Sequence, residues 1–294
     1  MIIASIKSIS HFKEIEKLVD GIIISSSFSI SINDKPTEEE MIKIIKYSND
    51  INKLAIIDIS SLMTNEEIKL VDNFINKYKD FNVSFIYTDI GVYNILKKYN
   101  IESRGIYDPK TLITNSFDMN YYLDDNIMAI GLSNEIPAKK IKEINSKKHG
   151  KTLLKIFGYH QMFYSKRHLI STYLKYKNMD NKLDMNNTYL KEETRGEEYH
   201  IDENSHGTVI YRSYVMSYMK CLDDILGVDY LVFDSSFIDD KDFTLALQIY
   251  NDVLNGSLDK NIASLKLKEI FNIEDGFMIE DTVYVKEEMS RWDM

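Results

Sequence analysis

The sequence predicts an α/β fold, a closed (β/α)8 barrel of the TIM type, and three observations support this prediction. Eight apolar runs of strand length recur through the first 235 of the 294 residues, and most are rich in β-branched residues and almost continuously apolar. That composition is typical of parallel strands that are covered on both faces. Amphipathic segments of helical period separate the runs. Eight alternating strand and helix steps are the number at which such a sheet closes on itself.

The predicted strands, in chain order, are Ile2–Ile6, Gly21–Ser25, Leu54–Ile59, Val83–Asp89, Ser103–Asp108, Ile127–Ser133, Leu153–Tyr159 and Asp229–Ser235. Two of the helices between them begin with a capping box, one at Thr37 and one at Thr64. In a capping box, a threonine and a glutamate three residues later accept hydrogen bonds from each other's backbone N–H groups. A third helix begins at Pro137, a position that tolerates a missing N–H. The last helix, Asp239–Leu254, ends before Gly256.

The step from the seventh to the eighth predicted strand is unusually long, at about 70 residues, whereas ordinary crossovers are far shorter. We therefore predict one barrel domain, residues 1–260, with an insertion at 160–228 that holds four of the six histidines and a candidate helix, Tyr214–Leu226. A C-terminal extension, residues 261–294, is expected to pack on the barrel. It contains two strand-like segments, Gly276–Met278 and Thr282–Val285.

The composition excludes several classes of protein. With 44% hydrophobic residues, 28% charged residues and a net charge of −10, the chain has the balance of a globular protein and not of a disordered one. No apolar run approaches the 18 residues that cross a membrane, so we expect no membrane contact. The first residues lack the pattern of a signal peptide, and the single cysteine, Cys221, forbids an internal disulfide. We therefore expect a cytoplasmic protein.

Positive charge is concentrated in one segment. Between Lys139 and Lys177 the chain has ten lysines, one arginine and a single acid, Glu143, which gives a local net charge of +10 in an acidic protein. Six aromatic residues are interleaved with these cations. Cations beside aromatic faces are what contact with phosphate and base stacking require, so the segment predicts nucleic-acid binding. The alternative is that the lysines form the solvated face of a helix and that the aromatic residues pack in the core.

In barrels of this kind the chemistry collects at the carboxyl ends of the strands. The polar residues there are Ser25, Asp58, Asp89, Asp108, Asn115, Ser133, Glu135, His160 and Asp234. Polar residues also begin such loops as helix caps and turn formers, so each alone is weak support for a site. The chain has neither a zincin motif nor a nucleophile elbow.

The densest polar cluster runs from Tyr189 to Asp202. Its carboxylates and Arg195 could form a buried network that holds an anionic substrate, or an exposed charged turn. Together with the histidines, Glu192, Glu193 and Asp202 could also form a mononuclear metal site after folding.

The second half of the sequence resembles peptidase family U32, the collagenase-like peptidases. The segments that carry the resemblance are Phe157–Ser171, Tyr107–Ser116, Gly131–Ile136, Tyr189–Glu193, Asp202–Thr208 and Gly276–Tyr284. The larger members carry four cysteines that hold an iron–sulfur cluster, and one of them falls where this chain has His168. The resemblance is therefore to a shorter subgroup, and no iron–sulfur cluster is expected. This chain is similar to the smaller of two paired proteins of that family. Those pairs act in the prephenate-dependent hydroxylation of the wobble uridine of transfer RNA.

The resemblance implies a barrel fold and a role in RNA modification, with transfer RNA, a small anionic metabolite such as prephenate and a longer paralogue as partners. The alternatives are a peptidase, which is a hydrolase named only by the family, and a non-catalytic subunit of a longer paralogue. The predicted catalytic residues are His160, His168, Glu135 and Glu192. The predicted substrate-binding residues are Arg167, Arg195, Lys166, Tyr159, Tyr164, Asn115, Ser165 and His206. No metal ligand is assigned, and a divalent metal has no support from a motif.

Overall fold

The computed structural model describes residues 1–179, 188–194 and 196–279. Its strands are β1 (Ile2–Ile6), β2 (Gly21–Ser25), β3 (Leu54–Ile59), β4 (Ser84–Tyr87), β5 (Gly105–Tyr107), β6 (Ala129–Gly131), β7 (Thr152–Ser165), β8 (Tyr189–Lys191), β9 (Glu198–Asn204), β10 (Gly207–Ser217), β11 (Tyr230–Phe233) and β12 (Ile273–Glu274). Its α-helices are α1 (Ile9–Ile15), α2 (Glu38–Asp50), α3 (Asn65–Tyr78), α4 (Ile90–Lys98), α5 (Ser116–Leu123), α6 (Ala138–Asn145), α7 (Leu169–Tyr176), α8 (Leu222–Ile225), α9 (Asp240–Leu254) and α10 (Lys260–Ile270).

Eight parallel strands close into a ring. Strands β1 to β7 pair in sequence order, and β11 pairs in parallel with both β7 and β1, so that the sheet has no free edge at that point. This confirms the predicted (β/α)8 barrel. Strands β8, β9, β10 and β12 are bonded outside the ring, on the side of β7.

The barrel helices begin where the sequence predicts. Both capping boxes form: Thr37 accepts from the backbone of Glu40 at the start of α2, and Thr64 does the same with Glu67 at the start of α3. Each satisfies two backbone N–H groups that have no partner within the helix. No helix in the described part of the chain is both long and apolar enough to cross a membrane.

The inside of the barrel is built in two layers. The lower one, which we name the apolar layer, consists of Ile3, Ile23, Ile56, Ile86, Ile106, Ala129, Leu153, Tyr230 and Val232. Side chains on one face of a strand recur every second residue, so the next inward positions lie two residues further along. Those positions, which we name the polar layer, are Ser5, Ser25, Asp58, Thr88, Asp108, Gly131, Lys155 and Asp234. Each barrel strand therefore changes from apolar to polar or small near its carboxyl end.

Strand β7 leaves the barrel at Gly158. Up to Phe157 it pairs with β6 and β11, and beyond that point it pairs antiparallel with β10 as far as Ser165. Gly158 has a φ of +123°, and a Cβ atom there would lie 2.6 Å from the carbonyl oxygen of Asp234. The predicted strand ended at Tyr159. The outer half was missed because the polar residues His160 and Gln161 interrupt the apolar run.

The predicted helix Tyr214–Leu226 is wrong over its first four residues. Residues 214–217 finish β10, which pairs with β7 on one side and with β12 on the other. Helical backbone begins only at Tyr218, with a 3-10 turn to Cys221 followed by α8. Strand pairing on both sides overrides the local helical pattern there.

The C-terminal extension also differs from the prediction. Gly276–Met278 forms a turn, and the strand that pairs with β10 is β12, just before it. Thr282–Val285 lies outside the described residues. Ala263 and Leu267 of α10 are fully buried in the main core.

Candidate functional site

A cavity of about 110 Å³ lies at the mouth of the barrel, where the carboxyl ends of the parallel strands meet. Members of the apolar layer form its floor, and members of the polar layer form its wall. Residues of the insertion, from the outer half of β7 and from β10, close it above. The charged and titratable residues that line it are Asp58, Asp108, Lys110, Glu135, Lys155, His160, Tyr211, Arg212 and Asp234.

Lys155 and Asp234 form an ion pair across neighbouring strands, with Nζ 2.5 Å from Oδ2. The other oxygen of Asp234 accepts from the backbone N–H and the hydroxyl of Ser236, at 3.0 and 2.7 Å. Burial alone would raise the pKa of this carboxyl, but Lys155 and these donors lower it to about 2. Asp234 is therefore ionised, and it neutralises Lys155.

A second ion pair lies on the other side of the mouth. Lys110 Nζ is 2.6 Å from Asp108 Oδ2. Burial alone would lower the pKa of Lys110, but the charges of Asp108 and Asp58 raise it overall, so Lys110 is a cation. Gly131 makes room for this pair, because a Cβ atom there would lie 2.5 Å from Asp108 Oδ1.

Asp58 is buried and only partly satisfied. Its Oδ2 accepts a short hydrogen bond from the hydroxyl of Ser29, while Oδ1 has no hydrogen-bond partner. Burial raises the pKa of this carboxyl, against the opposing effects of Lys110 and the neighbouring serines. When protonated, Asp58 can donate a proton or a hydrogen bond into the cavity.

His160 is 4% exposed and lines the cavity, yet neither of its ring nitrogens has a hydrogen-bond partner. Burial, followed by the charges of Lys155 and Arg212, places the pKa of this imidazole well below its usual value. The ring is therefore neutral, with one nitrogen able to donate and the other able to accept. Buried polar groups normally have partners, so this ring has donor and acceptor capacity left for a molecule in the cavity.

Arg212 is the cavity cation without a carboxylate partner in the described ranges. Its Nη1 donates to the hydroxyl of Tyr214 at 3.0 Å, and its guanidinium carbon lies 4.8 Å from the centre of the Phe277 ring. A guanidinium held by an aromatic face keeps its charge and fixed geometry. Arg212 comes from the insertion, and Phe277 follows β12.

The structure brings two of the four predicted catalytic residues into the cavity lining, His160 and Glu135. His168 is exposed at the start of α7, with Nδ1 4.0 Å from Glu203 Oε1. Glu192 follows β8 and accepts hydrogen bonds from Thr194 and from the hydroxyl of Tyr199. Neither His168 nor Glu192 lines the cavity.

Of four further predicted substrate-binding residues, Lys166 and His206 connect the insertion to the barrel, and Tyr164 and Ser165 form contacts within the insertion. Lys166 donates to the backbone carbonyl of Leu62 at 2.8 Å and forms an ion pair with Glu67 of α3. His206 Nε2 is 2.6 Å from the carbonyl oxygen of Ser27, and Tyr164 donates to the carbonyl of His206. Ser165 accepts from the N–H of Arg167 within the same turn. These contacts hold the insertion over the barrel mouth.

The remaining predicted residues lie elsewhere. Tyr159 packs edge-on against His200, with ring centres 4.7 Å apart, and Arg167 is exposed. Asn115 caps α5, as Asp89 caps α4, which is the structural role expected of many residues that follow a strand. Arg195 lies outside the described residues.

Sequence reasoning did not assign Lys155, Lys110 and Arg212 to the site. Lys155 carried a signal, because it is a charged residue within an apolar strand and lies two positions after Leu153 of the apolar layer. Lys110 and Arg212 had none, since their place depends on loop conformation and on pairing between β7 and β10.

The residues present do not fit the iron–sulfur cluster of the larger proteins. Cys221 is the chain's single cysteine, and it lies half-buried at the start of α8, outside the cavity lining; burial raises the pKa of its thiol. A four-thiolate cluster site cannot be formed from one thiol. Among the described residues, no three His, Cys, Asp or Glu side chains are grouped so that they could hold a metal ion.

The family model for peptidase family U32 matches residues 15–283. The chain belongs to this family. The U32 peptidase Mk0906 has a similar structure, with a TM-score of 0.51 and 9% sequence identity over 80% of this chain and 92% of that one. The Bacillus cereus spore cortex-lytic enzyme SleL has a TM-score of 0.40 and 9% identity over 94% of this chain and 75% of its own. No curated protein sequence matches the U32 chain.

Proposed function

We propose that this U32-family protein takes part in the hydroxylation of the wobble uridine of transfer RNA in the cytoplasm, with a small anionic metabolite of the prephenate type in the cavity. The observation that supports the proposal is the course of β7. One continuous strand supplies Lys155, His160 and Gln161 to the cavity and then leads through exposed residues to α7.

Helix α7 has the chemistry of a single-stranded nucleic-acid contact. Tyr173 and Tyr176 are 57% and 78% exposed. Lys175 and Lys177 form no ion pair with a described residue, and the ammonium of Lys177 lies 5.8 and 5.7 Å from the centres of the two tyrosine rings. Exposed aromatic rings beside cations allow a base to stack while its phosphate is neutralised.

The basic segment read from the sequence does not form one surface. Its first half lies on α6 and the following turn, where Lys142 and Lys148 pair with Asp224 and Asp229. Lys140 and Lys147 both contact Glu143. The proposal therefore assigns the RNA contact to α7 alone.

A deletion strain tests the function. Any other gene of the U32 family is removed from the same host, so that redundancy does not hide the result, and hydroxylated wobble uridine is measured by mass spectrometry of digested transfer RNA. We expect the hydroxylated nucleoside to be lost and to return with the wild-type gene. An unchanged level in the deletion strain would overturn the proposal.

Complementation with charge-reversal variants tests the surface. Lys175→Glu with Lys177→Glu should fail to restore hydroxylation. Lys266→Glu with Lys268→Glu is a matched control with the same spacing, because both residues are exposed on α10 and form no ion pair with a described residue. For the purified protein, the α7 double variant should reduce the slope of log affinity against log salt by about 2, one for each phosphate contact.

Two other outcomes would point to the alternatives. Cleavage of denatured collagen by the purified protein, with and without chelator and added divalent metals, would support a peptidase. Hydroxylation that requires a longer U32 paralogue recovered with this chain in a pull-down would support a non-catalytic subunit.

A further inference from the structure

We infer that Arg212 is the carboxylate-binding residue of the cavity and that it holds one carboxylate of a ligand with an apolar body and a hydroxyl or keto group placed toward His160. The inference rests on the proposed function only in taking the cavity as the site of the anionic metabolite. Arg212 was predicted neither from the motifs nor from the positions at the ends of the strands.

The cations that line the cavity differ in whether a carboxylate contacts them. Lys155 is neutralised by Asp234 at 2.5 Å, and Lys110 is neutralised by Asp108 at 2.6 Å. Arg212 remains as a cation without a carboxylate partner among residues 1–179, 188–194 and 196–279. Asp58 and Glu135 also line the cavity, but neither forms an ion pair with Arg212. The guanidinium is therefore free to bind both oxygens of one ligand carboxylate.

The guanidinium of Arg212 is held in place by two aromatic side chains. The hydroxyl of Tyr214 accepts from Nη1, and the ring of Phe277 lies 4.8 Å from the guanidinium carbon. These contacts use one nitrogen and one face, so hydrogen-bond donors of the group remain for a ligand. A side chain that is already held loses less conformational entropy when the anion binds.

Two buried polar side chains and the apolar floor define what the rest of the ligand must contain. His160 is 4% exposed and Asp58 is 8% exposed, and both have polar atoms without a partner. A hydroxyl group can donate to one of them and accept from the other. The floor below is apolar, formed by Ile23, Ile86 and Leu153 among others, so it fits a hydrocarbon body.

Three probes of one shape separate these features: cyclohexanecarboxylate, 4-hydroxycyclohexanecarboxylate and cyclohexanecarboxamide. Each is added at 10 mM to the purified full chain, and the melting temperature is measured. We expect the two carboxylates to raise Tm by about 2–4 °C, which corresponds to a ligand at about ten times its Kd. The hydroxylated probe should give the larger rise, and the neutral amide should give none.

Variants assign the effect to the fork. Arg212→Gln should weaken carboxylate binding at least about tenfold. Arg212→Lys keeps the charge but not the fork, so it should retain part of the Tm rise and also shows that the site still folds. Arg167→Gln, an exposed arginine on the same insertion, should bind the carboxylates as the wild type does. His160→Leu should remove only the advantage of the hydroxylated probe.

The result that overturns the inference is a Tm rise in Arg212→Gln equal to that of the wild type, or no rise with either carboxylate in the wild type. The complementation assay separates this from the proposed function. If Arg212→Gln restores transfer RNA hydroxylation fully, the role of Arg212 fails while the function stands. If the deletion strain keeps its hydroxylation but the carboxylates still bind through Arg212, the function fails while this site stands.

Discussion

The apolar layer and the polar layer lie on the same strands, two residues apart, and have opposite chemistry. Ile56 and Asp58 of β3 show the contrast: both point into the barrel, but one packs in a closed apolar cluster and the other lines a cavity. The lower layer contributes to stability because it is filled, whereas the upper layer borders the cavity and leaves Asp58 Oδ1 without a hydrogen-bond partner. This barrel therefore changes from core to site within one step of the strand period.

The largest expected effect comes from the apolar layer. Ile56→Ala should lower the free energy of unfolding by about 2–5 kcal/mol, because Ile56 is fully buried and its removal leaves a void. Urea denaturation measures the change. Carboxylate binding to the remaining folded protein should stay at the wild-type level, and a loss of binding with intact stability would contradict the division into two layers.

The next effect comes from breaking the ion pair of the polar layer. Lys155→Met leaves Asp234 charged and partly buried, so we expect a loss of about 1–3 kcal/mol. The double variant Lys155→Met with Asp234→Asn should recover most of the lost free energy of unfolding. This recovery is the control, because a loss caused by altered packing at Lys155 would persist in the double variant.

The pH dependence of this pair has a definite sign. Asp234 has a pKa lowered to about 2 from an ordinary value of 3.8, so the folded state binds its proton less readily than the unfolded state does. The stabilisation is therefore complete above about pH 4 and is lost as the pH falls toward 2. The difference in the free energy of unfolding between Lys155→Met and the wild type should therefore decrease as the pH falls over that range, as measured by urea denaturation.

The barrel and its strand ends could be predicted because both depend on short-range patterns. Apolar runs of strand length and capping boxes fixed by three residues are visible in the sequence, and β1, β2 and β3 have the predicted bounds. The two-residue alternation of side chains along a strand also places Lys155 at an inward position, two residues after Leu153. The course of the insertion could not be predicted in this way, because Gly158 and the antiparallel register of β7 with β10 join residues about 50 positions apart. Arg212 reaches the cavity only through that pairing.

A smaller effect, of opposite sign, is expected at His160. His160→Leu should keep or raise the free energy of unfolding, by up to about 1 kcal/mol, because it removes a buried ring without hydrogen-bond partners. The pKa of this imidazole is lowered, so the unfolded state binds the proton more readily, and the wild type loses stability as the pH falls below about 6.5. Denaturation at several pH values should show that the free energy of unfolding of His160→Leu rises relative to that of the wild type as the pH falls. A variant that is clearly less stable at neutral pH would mean that His160 contributes to the core and not to a site.

The smallest expected change belongs to Asp58, because serine donors and Lys110 offset part of its burial. Its pKa is raised from an ordinary 3.8, so the folded state holds the proton more readily, and the wild type loses stability as the pH rises above that value. This sign is opposite to that of both His160 and Asp234. Asp58→Asn should therefore become more stable relative to the wild type as the pH is raised from 4, in denaturation curves at matched ionic strength. Asp89→Asn is the matched control, since Asp89 also follows a strand but caps α4 outside the cavity. If both variants changed in parallel with pH, the titration would be a general property of residues that follow a strand and not of the polar layer.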